Sequence, residues 1–101
     1  MNKSDTVSLY IDTNKRAVFY RGYRLQLTRS EYCIILALYN SENYLGVDDL
    51  ITAIDSFKDI GHSNVAVHVF NINSKTRNID GNRLIEHTKK GSGYFINKDF
   101  A

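Results

Sequence analysis

Residues 7–12 alternate in apolar character, two further strand-like runs follow across turns up to Leu27, and at Thr28 the apolar spacing changes to that of a helix. A chain that switches period once in this way must join a small sheet to a helical body. Val7, Leu9 and Ile11 alternate with Ser8, Tyr10 and Asp12. Thr13-Asn14-Lys15 then turns into Ala17-Val18-Phe19-Tyr20, and Arg21-Gly22 turns into Tyr23-Arg24-Leu25-Gln26-Leu27, which predicts a small antiparallel meander. Thr28 followed by Glu31 is a capping box, and Tyr32, Ile35, Leu36 and Tyr39 carry helical spacing to about Asn40.

A second helix follows the turn 41–46. Asp48 and Asp49 favour its positive end, Val47, Leu50, Ile51 and Ile54 form its apolar side, and it stops near Asp55. Residues 56–61 read as a loop, and Ser63 is an N-cap for a third helix from Asn64 to about Arg77. Val65, Val69, Ile72 and Thr76 make one side of that helix, with Val67 and Phe70 widening the apolar face. The β-branched Val65, Val67 and Val69 would also suit a strand, so periodicity alone leaves this segment open. Asp80-Gly81-Asn82 turns into Leu84–Thr88, and Gly91-Ser92-Gly93 turns into Tyr94-Phe95-Ile96, a closing hairpin.

At 101 residues, 43% of them hydrophobic, the chain suffices for one compact core and is too short for two. Proline is absent, and no linker or repeat interrupts the sequence. The formal charge of +2 decides little, but its distribution is uneven. Residues 42–59 hold five acids (Glu42, Asp48, Asp49, Asp55, Asp59) against Lys58, whereas residues 75–90 hold five bases (Lys75, Arg77, Arg83, Lys89, Lys90) against Asp80 and Glu86. This asymmetry suggests one anion-facing surface and one that avoids anions; the plainer alternative is two solvated faces. The single Cys33 excludes a disulfide framework or a cysteine metal cluster and fits a reducing compartment. The longest apolar run, Cys33–Tyr39, is far shorter than a membrane span, and the N-terminus lacks a signal-peptide block, so a soluble cytoplasmic segment without membrane contact is expected. No triad order, paired carboxylates or metal-ligand spacing is present, so neither an enzyme nor a cofactor is expected.

The last third carries the functional signal. A polar helical stripe of Asn64, His68, Asn71 and Lys75 is followed by the glycine-pivoted ribbon Lys89-Lys90-Gly91-Ser92-Gly93-Tyr94. A helix presenting amides beside a lysine-tipped hairpin suits one groove of duplex DNA and its neighbouring backbone.

Leu27-Thr28-Arg29-Ser30-Glu31-Tyr32 resembles the L-T-x-x-E-F start of the first helix in OmpR/PhoB-type effector domains. Leu45–Leu50 is similar to their V-S-R-E-E-L, Val65-Ala66-Val67-His68-Val69 to V-D-V-H-I in the recognition helix, and Thr88–Tyr94 to T-V-R-G-x-G-Y in the wing. The resemblance implies an α+β fold, a winged helix-turn-helix with an N-terminal four-stranded antiparallel sheet (residues 1–27), three helices (28–78) and a C-terminal hairpin wing (83–97) in a single domain. It also implies a bacterial transcription regulator without a receiver domain, either standing alone or within a longer chain such as one with a later membrane anchor; Met1 makes a C-terminal fragment the less natural choice.

On that resemblance the third helix lies in the major groove. Asn71 reads adenine bidentately, the alternative being a solvated asparagine. Asn73 and Phe70 stand where the family commonly has arginines, and Asn73 is carried as a DNA contact. His68 reaches a phosphate or is a structural histidine; His62 and His87 are taken as exposed. Ser63 and Asn64 offer a helix N-terminus to a phosphate, or simply cap it. Lys75 and Arg77 reach the flanking backbone or are surface charge. Thr88 touches a phosphate and Lys90 probes the minor groove. Asp55, Lys58 and Asp59 lie where family members touch RNA polymerase, and tandem copies on direct repeats are expected. The alternative reading is a winged-helix protein-interaction module that modulates another regulator without binding DNA itself.

Overall fold

The computed structural model describes residues 9–54 and 62–97. Three strands come first, β1 (Leu9–Asp12), β2 (Ala17–Tyr20) and β3 (Tyr23–Arg24), then three helices, α1 (Arg29–Asn40), α2 (Val47–Ile54) and α3 (His62–Asp80), and last the hairpin of β4 (Ile85–His87) and β5 (Tyr94–Ile96). The first sheet has the order β1-β2-β3 and is antiparallel throughout, with Leu9 opposite Tyr20 and Phe19 opposite Arg24. The meander is thus present, but among the described residues it has three strands and not four. After Arg24 one further bond, from the Leu25 N–H to the Val18 carbonyl, holds the chain before it leaves for the Thr28 cap.

Local chemistry explains both turns. Asp12 accepts backbone N–H groups from Asn14 and Lys15 at 3.0 and 3.2 Å, so its side chain mimics a turn. Arg21 and Gly22 both have positive φ (49° and 86°), the primed geometry that matches strand twist. Alternation then sorts the faces. Leu9, Val18 and Tyr20 enter the core, while on the other face exposed Tyr10 covers half-buried Phe19 with ring centroids 6.0 Å apart.

Thr28 and Glu31 form the full capping box at the start of α1, each side chain bonding the other's backbone N–H at 3.2 and 3.0 Å. The core stripe of α1 is Tyr32, Ile34, Ile35 and Leu38; Tyr39, expected inside, is exposed. Glu31 is itself buried, and the ammonium of Lys75 from α3 reaches the same carboxylate oxygen at 2.6 Å and also the Gln26 carbonyl. Leu50 and Ile54 of α2 and Val65, Val69, Ile72 and Thr76 of α3 complete the packing between the helices. α3 is longer than expected at both ends. The segment 55–61, which includes Asp55, Lys58 and Asp59, lies outside the described residues.

The sheet is tied to the far end of α3 by Asp80. Its carboxylate accepts the Tyr20 hydroxyl (2.9 and 3.1 Å), the Arg21 guanidinium and the Asn82 N–H (3.0 Å). Burial acts to raise the Asp80 pKa, but hydrogen bonds from Asn82, Tyr20 and Arg21 outweigh it and hold the carboxyl below the ordinary aspartate value. Burial, with Asp80 as hydrogen-bond acceptor, also raises the Tyr20 phenol. Because the folded Asp80 pKa is depressed, its contribution to stability is complete above the unfolded value of roughly 3.9 and is lost as pH falls through the lower folded value. Asp80→Asn should therefore lower the melting temperature at neutral pH and reduce the fall that the wild type shows below about pH 4. An acid limb identical in both proteins, in melts followed by circular dichroism, would refute this.

Candidate nucleic-acid interface

α3 is set between two neighbours, one on each flank. With side chains stepping about 100° per residue, Val65, Val69, Ile72 and Thr76 face the core, and Asn73 is one flank of that stripe. The Asn73 amide is buried and bonded at both ends. Its Nδ2 donates to the Ile85 carbonyl at 3.0 Å, and its Oδ1 accepts from the Leu84 and Ile85 N–H groups at 3.0 and 2.9 Å. The Thr76 hydroxyl donates to the Asn82 carbonyl at 2.9 Å. These bonds clamp the base of the wing to α3. On the opposite flank His68, Asn71 and Lys75 are half-buried, with Lys75 engaged by Glu31 and Gln26 as described.

The exposed face of α3 is therefore not the polar stripe expected from sequence. Among the described side chains it comprises Ala66, Val67, Phe70, Arg77 and Asn78, with Ser74 half-buried between them. Val67 and Phe70, expected to widen the apolar face, are 54% and 66% exposed. A helical wheel contains the signal: Val67 lies roughly 200° from Val65 and Phe70 about 140° from it, far from the core direction. The side chains of Ser63 and Asn64 lie outside the described ones; their backbone forms the first turn of α3.

The wing is built to hold its tip out. The Thr88 hydroxyl, expected at a phosphate, accepts the N–H groups of Ser92 and Gly93 within the wing loop at 2.9 and 3.2 Å. Gly91 takes φ 72° at the tip, where Lys89 and Lys90 are exposed. Just below the tip the hairpin docks on the loop before α2, where Leu45 and Tyr94, the first residue of β5, exchange both backbone bonds at 3.0 and 2.9 Å. That approach requires Gly93, since a Cβ there would lie 2.5 Å from the Tyr44 ring and 2.6 Å from the Leu45 carbonyl oxygen. The His87 ring packs against Tyr94 in a tilted arrangement, with centroids 4.5 Å apart.

Positive charge predominates here. No Asp or Glu occurs in the sequence between Asp59 and Asp80, so the whole body of α3 lacks carboxylates. Arg77 and Arg83 line one hollow between the end of α3 and the base of the wing, where Glu86 is paired to Arg83 at 3.4 Å. Among the described residues no group of His, Cys, Asp and Glu is arranged to hold a metal ion, and no helix is long and apolar enough to cross a membrane.

No family model matches the sequence, and no curated protein matches it either. Solved structures do. The DNA-binding domain of the response regulator AdeR, solved in complex with an intercistronic region, is 21% identical with a TM-score of 0.78, over 96% of this chain and 97% of that one. A streptococcal protein described as one of a family of redox sensors evolved from two-component response regulators is 23% identical with a TM-score of 0.77, over 89% of this chain. DrrB, an OmpR/PhoB homologue from Thermotoga maritima, is 23% identical with a TM-score of 0.71, also over 89% of this chain. This chain has the OmpR/PhoB-type winged-helix fold. It spans 39% of the length of the streptococcal protein and 42% of DrrB. In this fold α3 is the helix after the turn, and the β4–β5 hairpin is the wing.

Two outcomes test the architecture. Asn73→Ala strands two N–H groups and one carbonyl in a buried place and should cost about 3 kcal/mol, read as a lower urea midpoint at unchanged m; a loss within about 0.5 kcal/mol would show that the clamp is dispensable. Gly93→Ala should cost about 1–3 kcal/mol through overpacking and speed hydrogen exchange at the Leu45 and Tyr94 amides before the rest of the core. Retained protection at both amides would contradict that.

Proposed function

We propose that this chain is the DNA-binding module of a bacterial transcription regulator, docking the exposed face of α3 in the major groove and its lysine-tipped wing on the adjacent minor groove. The observation that carries the reading is a helix without carboxylates until its last residue, Asp80, with the exposed cations Arg77 and Arg83 lining one hollow by its end and Lys89 and Lys90 exposed at the wing tip. A polyanion is the partner such a surface attracts. The AdeR DNA-binding domain, solved in complex with an intercistronic region, supports DNA binding by its shared fold.

Roles follow from geometry. Arg77 and Lys90, with Lys89, meet phosphates or the minor groove, and the α3 N-terminus at Ser63 and Asn64 offers backbone N–H groups to a phosphate. His68 and Asn71, half-buried on the α1 side of α3, border the groove-facing surface. Asn73, Lys75 and Thr88 serve by holding α3, α1 and the wing in register. Tandem copies on direct repeats and contact with RNA polymerase through the acidic flank of α2 belong to the same proposal. One observation favours the second reading, a protein-interaction module: the solvent-exposed Val67 and Phe70 would also suit a protein partner.

Fluorescence polarisation with an AT-rich duplex across a salt series separates the two. A log K against log salt slope of about −3 to −6, equivalent to roughly three to six neutralised phosphates, is expected. Reversing both tip lysines (K89E/K90E) should weaken binding and flatten the slope by about two. Absence of binding even at low salt would overturn the DNA reading and favour the protein partner.

A further inference from the structure

We propose that Phe70, flanked by Val67, recognises the 5-methyl group of thymine in the major groove, so that this module selects its site through apolar contact with T·A pairs; the inference rests on the DNA docking proposed above. Phe70 and Val67 are one turn apart on the outermost face of α3 and are its most exposed apolar side chains. Nothing in the packing demands them there, since the core stripe of α3 is complete with Val65, Val69, Ile72 and Thr76. Their own face supplies no guanidinium until Arg77, two turns on, so the guanine contact that arginine makes is absent from its centre. What the major groove offers to an aromatic or aliphatic side chain is the thymine methyl, the one apolar group on a base edge there.

The surroundings point to nucleic acid over protein. Phe70 borders a groove of about 360 Å³ between α3 and the wing, whose lining includes Ala66, Asn73, Arg83, Glu86 and His87. Glu86 is the carboxylate in that lining, and Arg83 neutralises it. Arg77 lies two turns along the same helix side, and Lys89 and Lys90 crown the wing. An apolar centre framed by cations complements a methyl-bearing base edge between two phosphate strands.

The test uses a duplex recovered by selection from a random pool, with each thymine replaced singly by uracil, a change that deletes only the methyl. Wild-type binding should weaken roughly three- to fivefold at one or two thymines and stay unchanged at the others. Phe70→Ala should bind the thymine and uracil duplexes equally at those positions while keeping the salt slope of the wild type. Because Phe70 is exposed, its melting temperature should be retained, and Val67→Ala should show the same loss of discrimination to a smaller degree. Uracil tolerated at every position, or Phe70→Ala weakening both duplexes alike, would overturn this inference and leave the DNA reading standing. Failure to bind any duplex at low salt would overturn both.

Discussion

The Asn73 amide presents donor and acceptor groups in one plane, and both ends bond the backbone of Leu84 and Ile85, where β4 begins. A buried amide is tolerable only when satisfied, because each stranded polar group costs about 1–3 kcal/mol. The clamp is therefore close to all-or-none: α3 and the wing are fixed to each other, or the core between them opens. Thr76 one turn later and the Leu45–Tyr94 bridge on the other side of the hairpin complete a three-point mount. The angle between the exposed helix face and the lysine tip follows from it, and so does any fit to two adjacent grooves.

A second constraint orients α3 from the opposite flank. Glu31 caps its own helix and at the same time accepts Lys75, so one carboxylate links the start of α1 to the middle of α3. Buried charge is costly unless paired, and here the pairing is bought with a lysine that the sequence pattern assigns to the surface. With Asn73 on one side and Lys75 on the other, rotation of α3 about its axis is fixed. That rotation is what turns Val67 and Phe70 outward and His68 and Asn71 partly inward.

Local chemistry made much of the fold legible. The capping box of α1, the turns at Asp12 and Gly22, the core stripe of α3 and the closing hairpin each depend on residues within one or two turns of each other. What could not be read were interactions across the chain. Lys75 finds Glu31 across 44 residues and Tyr20 finds Asp80 across 60, and neither pairing leaves a mark in periodicity. The fourth strand came from resemblance, not from alternation of the residues, and the described sheet has three. For the site, residue type misled where position would have served. Asparagine at 73 reads as surface and is core, whereas phenylalanine at 70 reads as core and is surface, although the helical wheel places both correctly.

Net charge is a poor guide to this surface for a related reason. At physiological ionic strength charges separated by more than about 8 Å are largely screened, so the acids of α2 do little to cancel a cationic patch on the α3–wing side. Local sign matters, and it is set by the lack of carboxylates from residue 60 to residue 79 more than by an abundance of bases. With Lys75 committed to Glu31, Arg77 is the exposed Lys or Arg of α3 among the described side chains, and on the proposed DNA reading electrostatic attraction to a duplex would be modest. A module of this kind gains most from a second copy on the adjoining site, where tethering on one duplex converts two weak encounters into one strong one by effective concentration alone. Under the same proposal selectivity could not rest on phosphate contacts, which carry no sequence information, and would fall to the side chains at the centre of the exposed helix face.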